Sequence, residues 1–372
     1  MEEKRGIDMK IKAAVVRQKS GPFLIEDVDL DEPREDEVLV RIAGTGLCHT
    51  DLAGRDGLLP TPLPMVFGHE GSGVVERVGA KVRKVRPGDH VVLSYVACGT
   101  CPSCRKGEET LCLNNFTCNF GGMRPDGSLT IKKDGEPVHG AFFGQSSFAS
   151  HALAFERNTV RVPEDVPIEI LGPLGCGVQT GAGGVINSLR PKPGSSLAVF
   201  GTGGVGMSAI LAAVVSGCGT IIAVDVKEAR LKAAREFGAT HTINPLEVDP
   251  VEAIREITEG GVEYILDTTG IGRVIRQAVD ALAVGGTCGL IGIASPDEEM
   301  HIGIGTMLQG RSIFGILEGD AIPDIFIPLM IELYRQGRFP FDRMITNYRL
   351  DQINEAATDA ESGKALKAVL RP

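Results

Sequence analysis

Cys98-Gly-Thr-Cys101-Pro-Ser-Cys104, closed by Cys112, sets four thiols within fifteen residues. Four soft donors that close in sequence can converge on one tetrahedral ion, so this loop is expected to hold a structural zinc. The intervals differ from those of iron–sulfur ligation, and a chain without an export signal is a poor setting for disulfides. Three more donors are scattered. Cys48 follows Gly44-Thr-Gly46-Leu, His69 sits in Gly68-His-Glu-Gly-Ser-Gly73, and Cys176 sits in Gly172-Pro-Leu-Gly-Cys-Gly177. A single cysteine is often a small buried hydrophobe. Two cysteines and a histidine in glycine-rich turns suggest a Cys₂His set instead. Such a set leaves a fourth position open, the pattern of a catalytic zinc. The expectation is therefore two zinc ions per chain. Cys118, Cys218 and Cys288 have no partners in spacing and are read as packing residues.

A third stretch could bind a nucleotide. Ser196-Leu-Ala-Val-Phe200 is apolar and feeds Gly201-Thr-Gly203-Gly204-Val205-Gly206, after which Met207 to Val215 has helical character. Gly201 permits the tight turn, Gly203 lets a pyrophosphate approach the backbone, and Gly206 packs helix on strand. The N–H groups at the helix start, around Gly204 and Val205, would face the phosphates. A carboxylate, Asp225, ends the next apolar run nineteen residues after Gly206. That position suits ribose hydroxyls and repels a 2′-phosphate, favouring NAD over NADP. Lys227 and Arg230, just behind, pull the other way.

The elements that must position these residues can be read from the rest of the chain. With 372 residues, 43% hydrophobic and 23% charged, there is ample core for two or three domain-sized units. A net charge of −10 argues against a nucleic-acid partner. No stretch is apolar enough to span a bilayer, and the charged N-terminus lacks a signal-peptide core, so a cytoplasmic protein is expected. Residues 1–8 are expected to fray. Strands are predicted at 11–16 and 37–42, and a helix from about Asp51. Residues 113–150 read as a long polar excursion returning to Phe142-Phe143. From 196 to 293, strands alternate with helices, the signature of a doubly wound parallel sheet. A helix over 324–336, a strand segment over 341–350, a helix over 352–362 and a short last strand complete the chain.

The His69 segment with Gly73, Gly79 and Val82, the four-cysteine loop and the glycine fingerprint, in this order, resemble the zinc-dependent medium-chain alcohol dehydrogenases. The likeness runs from about residue 9 to the end. Ser94-Tyr95, Phe142 to Ala149 and Leu171 to Cys176 most resemble bacterial aryl-alcohol (benzyl-alcohol) dehydrogenases. The resemblance implies an α/β protein with a Rossmann unit, residues 179–318, and a mostly β, GroES-like catalytic domain, residues 1–178 and 319–372. It implies Cys48, His69 and Cys176 as catalytic zinc ligands and Glu70 as an acidic neighbour of the metal. Thr50 would take the alcohol proton, and His49 would contact the cofactor pyrophosphate. Lys367 would clamp that pyrophosphate, Arg230 would flank the adenosine ribose, and Thr180, Ile291 and Ile293 would line the nicotinamide. Tyr95, Phe142 and Phe143 would lie near the substrate. Where some members carry a relay histidine, this chain has Ala53, so the proton must leave through the ribose hydroxyl and water or through another group such as His49.

The implied activity is reversible, NAD-dependent oxidation of a primary alcohol, aromatic or allylic, to its aldehyde by a homodimer or homotetramer. Two alternatives stay open. One is a dehydrogenase of formaldehyde thiol adducts, which would need cations such as Arg55 or Arg124 at the pocket mouth. The other is a non-catalytic zinc- and nucleotide-binding protein.

Overall fold

The computed structural model describes residues 9–372, and the fraying expected of residues 1–8 lies outside them. Two compact units form. One gathers the chain up to Cys176 with Ile322–Pro328 and Ile345–Pro372; the other holds Gly177–Ala321 with Leu329–Met344. Leu329–Met344, expected with the catalytic domain, packs in the second unit. Its Arg343 guanidinium lies 5.2 Å from the Phe237 ring centroid.

The first unit is built on two sheets. In one, strands run in the order Met65–Val66, Met9–Val16, Phe23–Leu30, Ile131–Lys133, Glu136–Val138. In the other the order is Thr159–Arg161, His90–Leu93, Gly71–Val78, Glu37–Gly46, Lys367–Arg371, Ile345–Arg349, with His151–Phe155 also on Glu37–Gly46. The period-2 alternation of the 37–46 strand is used on both faces. Val38, Val40 and Ile42 pack with Val75, Val91 and Leu93, while Leu39 enters a separate core with Val15 and Leu153. The C-terminal strand lies antiparallel to it, Val369 opposite Gly46 and Leu370 opposite Thr45. That pairing carries Lys367 to the point where the chain leaves for Cys48.

The second unit contains a six-stranded, all-parallel sheet. Its order is His241–Ile243, Thr220–Val224, Ser196–Phe200, Val262–Asp267, Leu282–Leu290, Ser312–Gly315. This is the doubly wound Rossmann order. Its strands are nearly continuous apolar runs because helices cover both faces. Helix Pro250–Ile257 shows how local signals start such elements: Asp249 accepts from Val251 N and Glu252 N, and proline takes the first helical position. The strand predicted to reach Ile293 stops at Leu290, so Ile291 and Ile293 lie just beyond its end. Likewise 341–350 opens as a 3₁₀ turn, Phe341–Met344, before the strand Ile345–Arg349.

The 113–150 excursion is ordered by side chains doing the work of backbone. Asn119 accepts from Val96 N (2.8 Å) and donates to Val96 O (3.0 Å). Arg124 is buried, with Nε and Nη2 donating to the two Glu37 oxygens (2.6 and 3.0 Å) and Nη1 to Asp31 (2.8 Å). Among the described residues no helix is long and apolar enough to cross a membrane.

Removing one partner of a buried ion pair leaves an uncompensated charge, a loss of about 3–5 kcal/mol. Arg124→Ala is therefore expected to lower unfolding free energy by that order in urea titration, whereas the exposed Lys10→Ala leaves it nearly unchanged.

Candidate active site and metal centres

Three segments distant in sequence meet in the first unit. Cys48 ends the loop after the 37–46 strand and precedes the helix His49–Arg55; His69 and Glu70 precede the strand Gly71–Val78; Cys176 closes the turn Gly172–Gly175. One ligand atom from each of Cys48, His69, Glu70 and Cys176 lies within 4.8 Å of the others. His69, Glu70 and Cys176 are buried.

The carboxylate that orients His69 is Asp51, which the chain pattern did not single out. Asp51 is fully buried. Its Oδ1 meets His69 Nδ1 at 2.9 Å and accepts from Gly68 N at 3.0 Å, and its Oδ2 accepts from Cys48 N at 3.0 Å. One carboxylate thus ties two ligand segments together. Only its i, i+3 relation to Cys48, a helix-start spacing, hinted at this. The bond at Nδ1 leaves Nε2 as the donor for a metal. Nε2 is buried and has no hydrogen-bond partner of ordinary geometry.

Electrostatics favour a cation here. The Cys48 thiol is held well below its ordinary value, first by the Cys176 sulfur, against the opposing effect of burial, and further by Lys367 and His69. For His69, burial opposes the charged form, yet Asp51 and the Cys48 sulfur outweigh it and the pKa rises. Lys367 Nζ, buried, lies 2.6 Å from the Glu70 carboxylate and donates to Leu47 O at 3.4 Å. This partnership was not foreseen for a residue expected at the pyrophosphate. Burial pushes the Glu70 carboxyl up to about 7, against the pull of Lys367. Two thiols, one already acidified, and an imidazole whose buried Nε2 faces them are a donor set that fits zinc.

The residues around this set fall into place in part. Thr50 is buried, its Oγ1 3.7 Å from Cys48 Sγ, and Cys48 is the N-cap of the helix that carries it. His49 is exposed at the first helical position. Phe143 stacks on the His69 ring with centroids 4.5 Å apart, and Phe142 meets the same ring edge-on at 5.6 Å. Tyr95 is buried in the same core.

The four-cysteine loop also closes. The sulfurs of Cys98, Cys101, Cys104 and Cys112 lie within 4.8 Å of one another. Backbone N–H groups aim at them: Cys98 N donates to Cys112 Sγ and Cys101 N to Cys98 Sγ. The Cys98 thiol falls to about 5, chiefly through the N–H of Thr100, while burial pushes Cys104 up to about 12. Four sulfurs this close cannot all ionise without a cation among them, so the donor set fits structural zinc. By contrast, burial raises the Cys118 and Cys218 thiols to about 11.

In the second unit the glycine fingerprint sits between strand Ser196–Phe200 and helix Gly204–Val215. Gly201 has φ +84°, and a Cβ on Gly206 would lie 2.0 Å from Gly201 O. At Gly203 the nearest atoms to such a Cβ belong to Arg230, 4.0 Å away, so the backbone there is open to a ligand. Asp225 is held by Thr202 N (2.8 Å), Thr202 Oγ1 (3.1 Å) and Lys227 N (2.9 Å), with Arg230 3.6 Å away. Thr180 is buried on helix Gly177–Gly183, its hydroxyl 3.4 Å from Glu318.

A GroES-like β unit with a Cys₂His centre and a Rossmann unit with an open glycine loop define a zinc-binding dehydrogenase. Residues 34–164 match the alcohol dehydrogenase GroES-like domain and residues 204–335 the zinc-binding dehydrogenase family. The chain is 50% identical over 362 residues to a geraniol dehydrogenase of Castellaniella defragrans, covering 96% of this chain and 97% of that protein. It superposes on the benzyl alcohol dehydrogenase of Acinetobacter calcoaceticus with TM-score 0.95 at 46% identity, covering 98% and 99% of the two chains. An alcohol dehydrogenase zinc-binding domain protein from Burkholderia ambifaria gives TM-score 0.96 at 53% identity, with the same coverage. The chain belongs to the zinc-dependent medium-chain alcohol dehydrogenases, and it is an alcohol dehydrogenase.

Loss of a carboxylate that orients a ligating histidine typically weakens metal binding roughly 10–100-fold. Asp51→Asn is expected to lose affinity by that factor at the Cys48 site and none at the four-cysteine site, read by zinc competition with a chromophoric chelator.

Proposed function

We propose that this enzyme oxidises a primary alcohol, aromatic or allylic, to the aldehyde, reversibly and with NAD. The convergence of the Cys48, His69 and Cys176 ligand atoms within 4.8 Å of one another carries the reading. Zinc held by these three supplies Lewis acidity that lowers the pKa of the alcohol hydroxyl, and NAD supplies the hydride acceptor. The remaining work belongs to the chain. Thr50 Oγ1, beside Cys48, takes the hydroxyl proton and passes it on. Ala53 offers no group to carry it further, so exposed His49 is assigned as its exit. The carbon gives up a hydride, leaving aldehyde, NADH and a proton in solvent. Glu70, its charge balanced by Lys367, stands next to the ligands and assists their exchange. The N–H groups of Gly203 to Gly206 take the pyrophosphate, Asp225 and Arg230 flank the adenosine ribose, and Thr180, Ile291 and Ile293 line the nicotinamide. A second zinc at Cys98, Cys101, Cys104 and Cys112 locks its loop.

The substrate class is supported by the rings of Phe142 and Phe143, which pack on His69, and by Phe67 and Phe120, which pack on those two rings. It is supported too by relatives named for geraniol and benzyl alcohol. The thiol-adduct alternative loses its cations. Arg124 is spent on Glu37 and Asp31, and Arg55 on Asp56 (2.8 Å) and Glu361 (3.2 Å). Nine free cysteines accord with a reducing, cytoplasmic setting. A homodimer or homotetramer through the second unit is supported by its edge strand Ser312–Gly315 and by Val284, Ile304 and Leu308, which are 77%, 78% and 82% exposed.

The test is a panel of benzyl, cinnamyl, aliphatic and formaldehyde–thiol substrates with NAD and NADP, zinc measured alongside. Benzyl or cinnamyl alcohol should exceed short aliphatic alcohols at least roughly 10-fold in kcat/KM. Thiol should add nothing, and NAD should be preferred. A zinc-loaded enzyme that reduces NAD only with thiol adducts, or with nothing in the panel, would sink the proposal. For the assembly, Leu308→Lys should lower the mass found by light scattering; an unchanged mass puts the interface elsewhere.

A further inference from the structure

The turn that carries Phe143 adopts a backbone that side chains disfavour. Ala141, Phe143 and Ser146 have φ of 65°, 50° and 52°, and Gly144 has 61°. Three non-glycine residues in the left-handed region within six positions are held only where the surroundings over-determine them. Here they do. Phe142 N donates to Ser146 Oγ (2.9 Å), which donates to Val66 O (2.6 Å). Asn158 Nδ2 donates to Phe143 O and Gly144 O at 3.2 and 3.3 Å. Gln145 grips the His69 segment from both sides, donating to His69 O (2.9 Å) and accepting from Gly71 N (3.0 Å). Ser147 N and Phe148 N continue the grip on Gly68 O and Phe67 O.

This turn lays the Phe143 ring on the His69 imidazole, 4.5 Å between centroids and 28° between planes. Phe142 closes on the same ring edge-on at 82°. The hydrogen bond that His69 Nδ1 donates to Asp51 fixes where Nδ1 lies but leaves the imidazole able to swing about that point. A stacked ring on one face and an edge on another remove that freedom. With φ in the ordinary negative region, the Phe143 side chain would leave the imidazole face.

We propose that Phe143 is a positioning residue: the left-handed turn exists to stack its ring on His69, so that Nε2 is held in line with the Cys48 and Cys176 sulfurs. The proposal rests on the reading of those three residues as metal ligands. It assigns Phe143 a role distinct from contact with substrate.

The test separates ring from backbone. Phe143→Asn keeps a residue that tolerates the left-handed conformation but removes the ring; Phe143→Tyr keeps the ring. Full-length wild type and variants are compared by zinc competition with a chelator, by ¹¹³Cd NMR of the cadmium-loaded chain, and by urea unfolding. The four-sulfur site and the Cys₂His site give separate ¹¹³Cd resonances. Phe143→Asn, which removes a buried ring, should lower the urea midpoint, but in the folded chain it should leave zinc affinity at the four-cysteine site unchanged while weakening it at the Cys48 site roughly 10-fold. Its Cys₂His resonance should shift or broaden while the four-sulfur resonance stays, and Phe143→Tyr should restore both readings. Wild-type affinity and an unmoved resonance in Phe143→Asn would overturn the proposal, with any KM change for aryl alcohols then marking a substrate wall. Weakened metal binding accompanied by an equal defect in Phe143→Tyr would overturn it too, as general loss of structure. A wild-type chain that shows no ¹¹³Cd resonance from the Cys₂His site would overturn this proposal and the catalytic-metal reading together, whereas a wild-type Cys₂His resonance that is indifferent to Phe143→Asn would overturn this proposal alone.

Discussion

Burying two sulfurs, an imidazole and a carboxylate in one small volume is unfavourable unless something balances them, and the first unit is arranged around that requirement. A desolvated anion without a partner costs several kcal/mol. Glu70 is matched by Lys367, and Cys48 is acidified by the groups that crowd it. His69 Nε2, buried and without a hydrogen-bond partner of ordinary geometry, faces the Cys48 sulfur. The buried donors balance fully only when a cation joins them, which couples metal binding to the integrity of the site.

The supports of this centre come from several elements, and each constrains a different degree of freedom. Asp51 joins the Cys48 and His69 segments through one carboxylate. Gln145 spans His69 and Gly71 as a neighbouring strand would. The last strand of the chain delivers Lys367 by pairing with Gly46 and Thr45. Phenylalanines exclude water from the imidazole and limit its motion. Such a centre tolerates little rearrangement, because moving the Asp51 segment disturbs both Cys48 and His69.

The second unit meets a different demand with backbone rather than side chains. Its glycine loop works by absence: no Cβ at Gly203, where the backbone is open, and none possible at Gly206. Asp225 is preset by Thr202 and the Lys227 N–H, so its carboxylate is oriented before any ligand arrives. The four-cysteine loop is likewise preset, with N–H groups already aimed at sulfur.

The chain by itself declares whatever is local. The four-cysteine loop, the glycine fingerprint with its strand and helix, the alternating core strands and Asp225 are all legible, because their donors or periodicities lie within a few residues of one another. Cys48, His69 and Cys176 could be nominated from their glycine-rich settings, although 128 positions separate the first from the last. Only the tertiary structure decided that Asp51 holds His69 Nδ1 and that Lys367 pairs with Glu70. It also decided that Arg124 is buried in an ion pair and that Phe143 stacks on the His69 ring. Those partnerships join residues brought near by sheet pairing and by a strained turn, and neither leaves a mark in the spacing of the residues concerned.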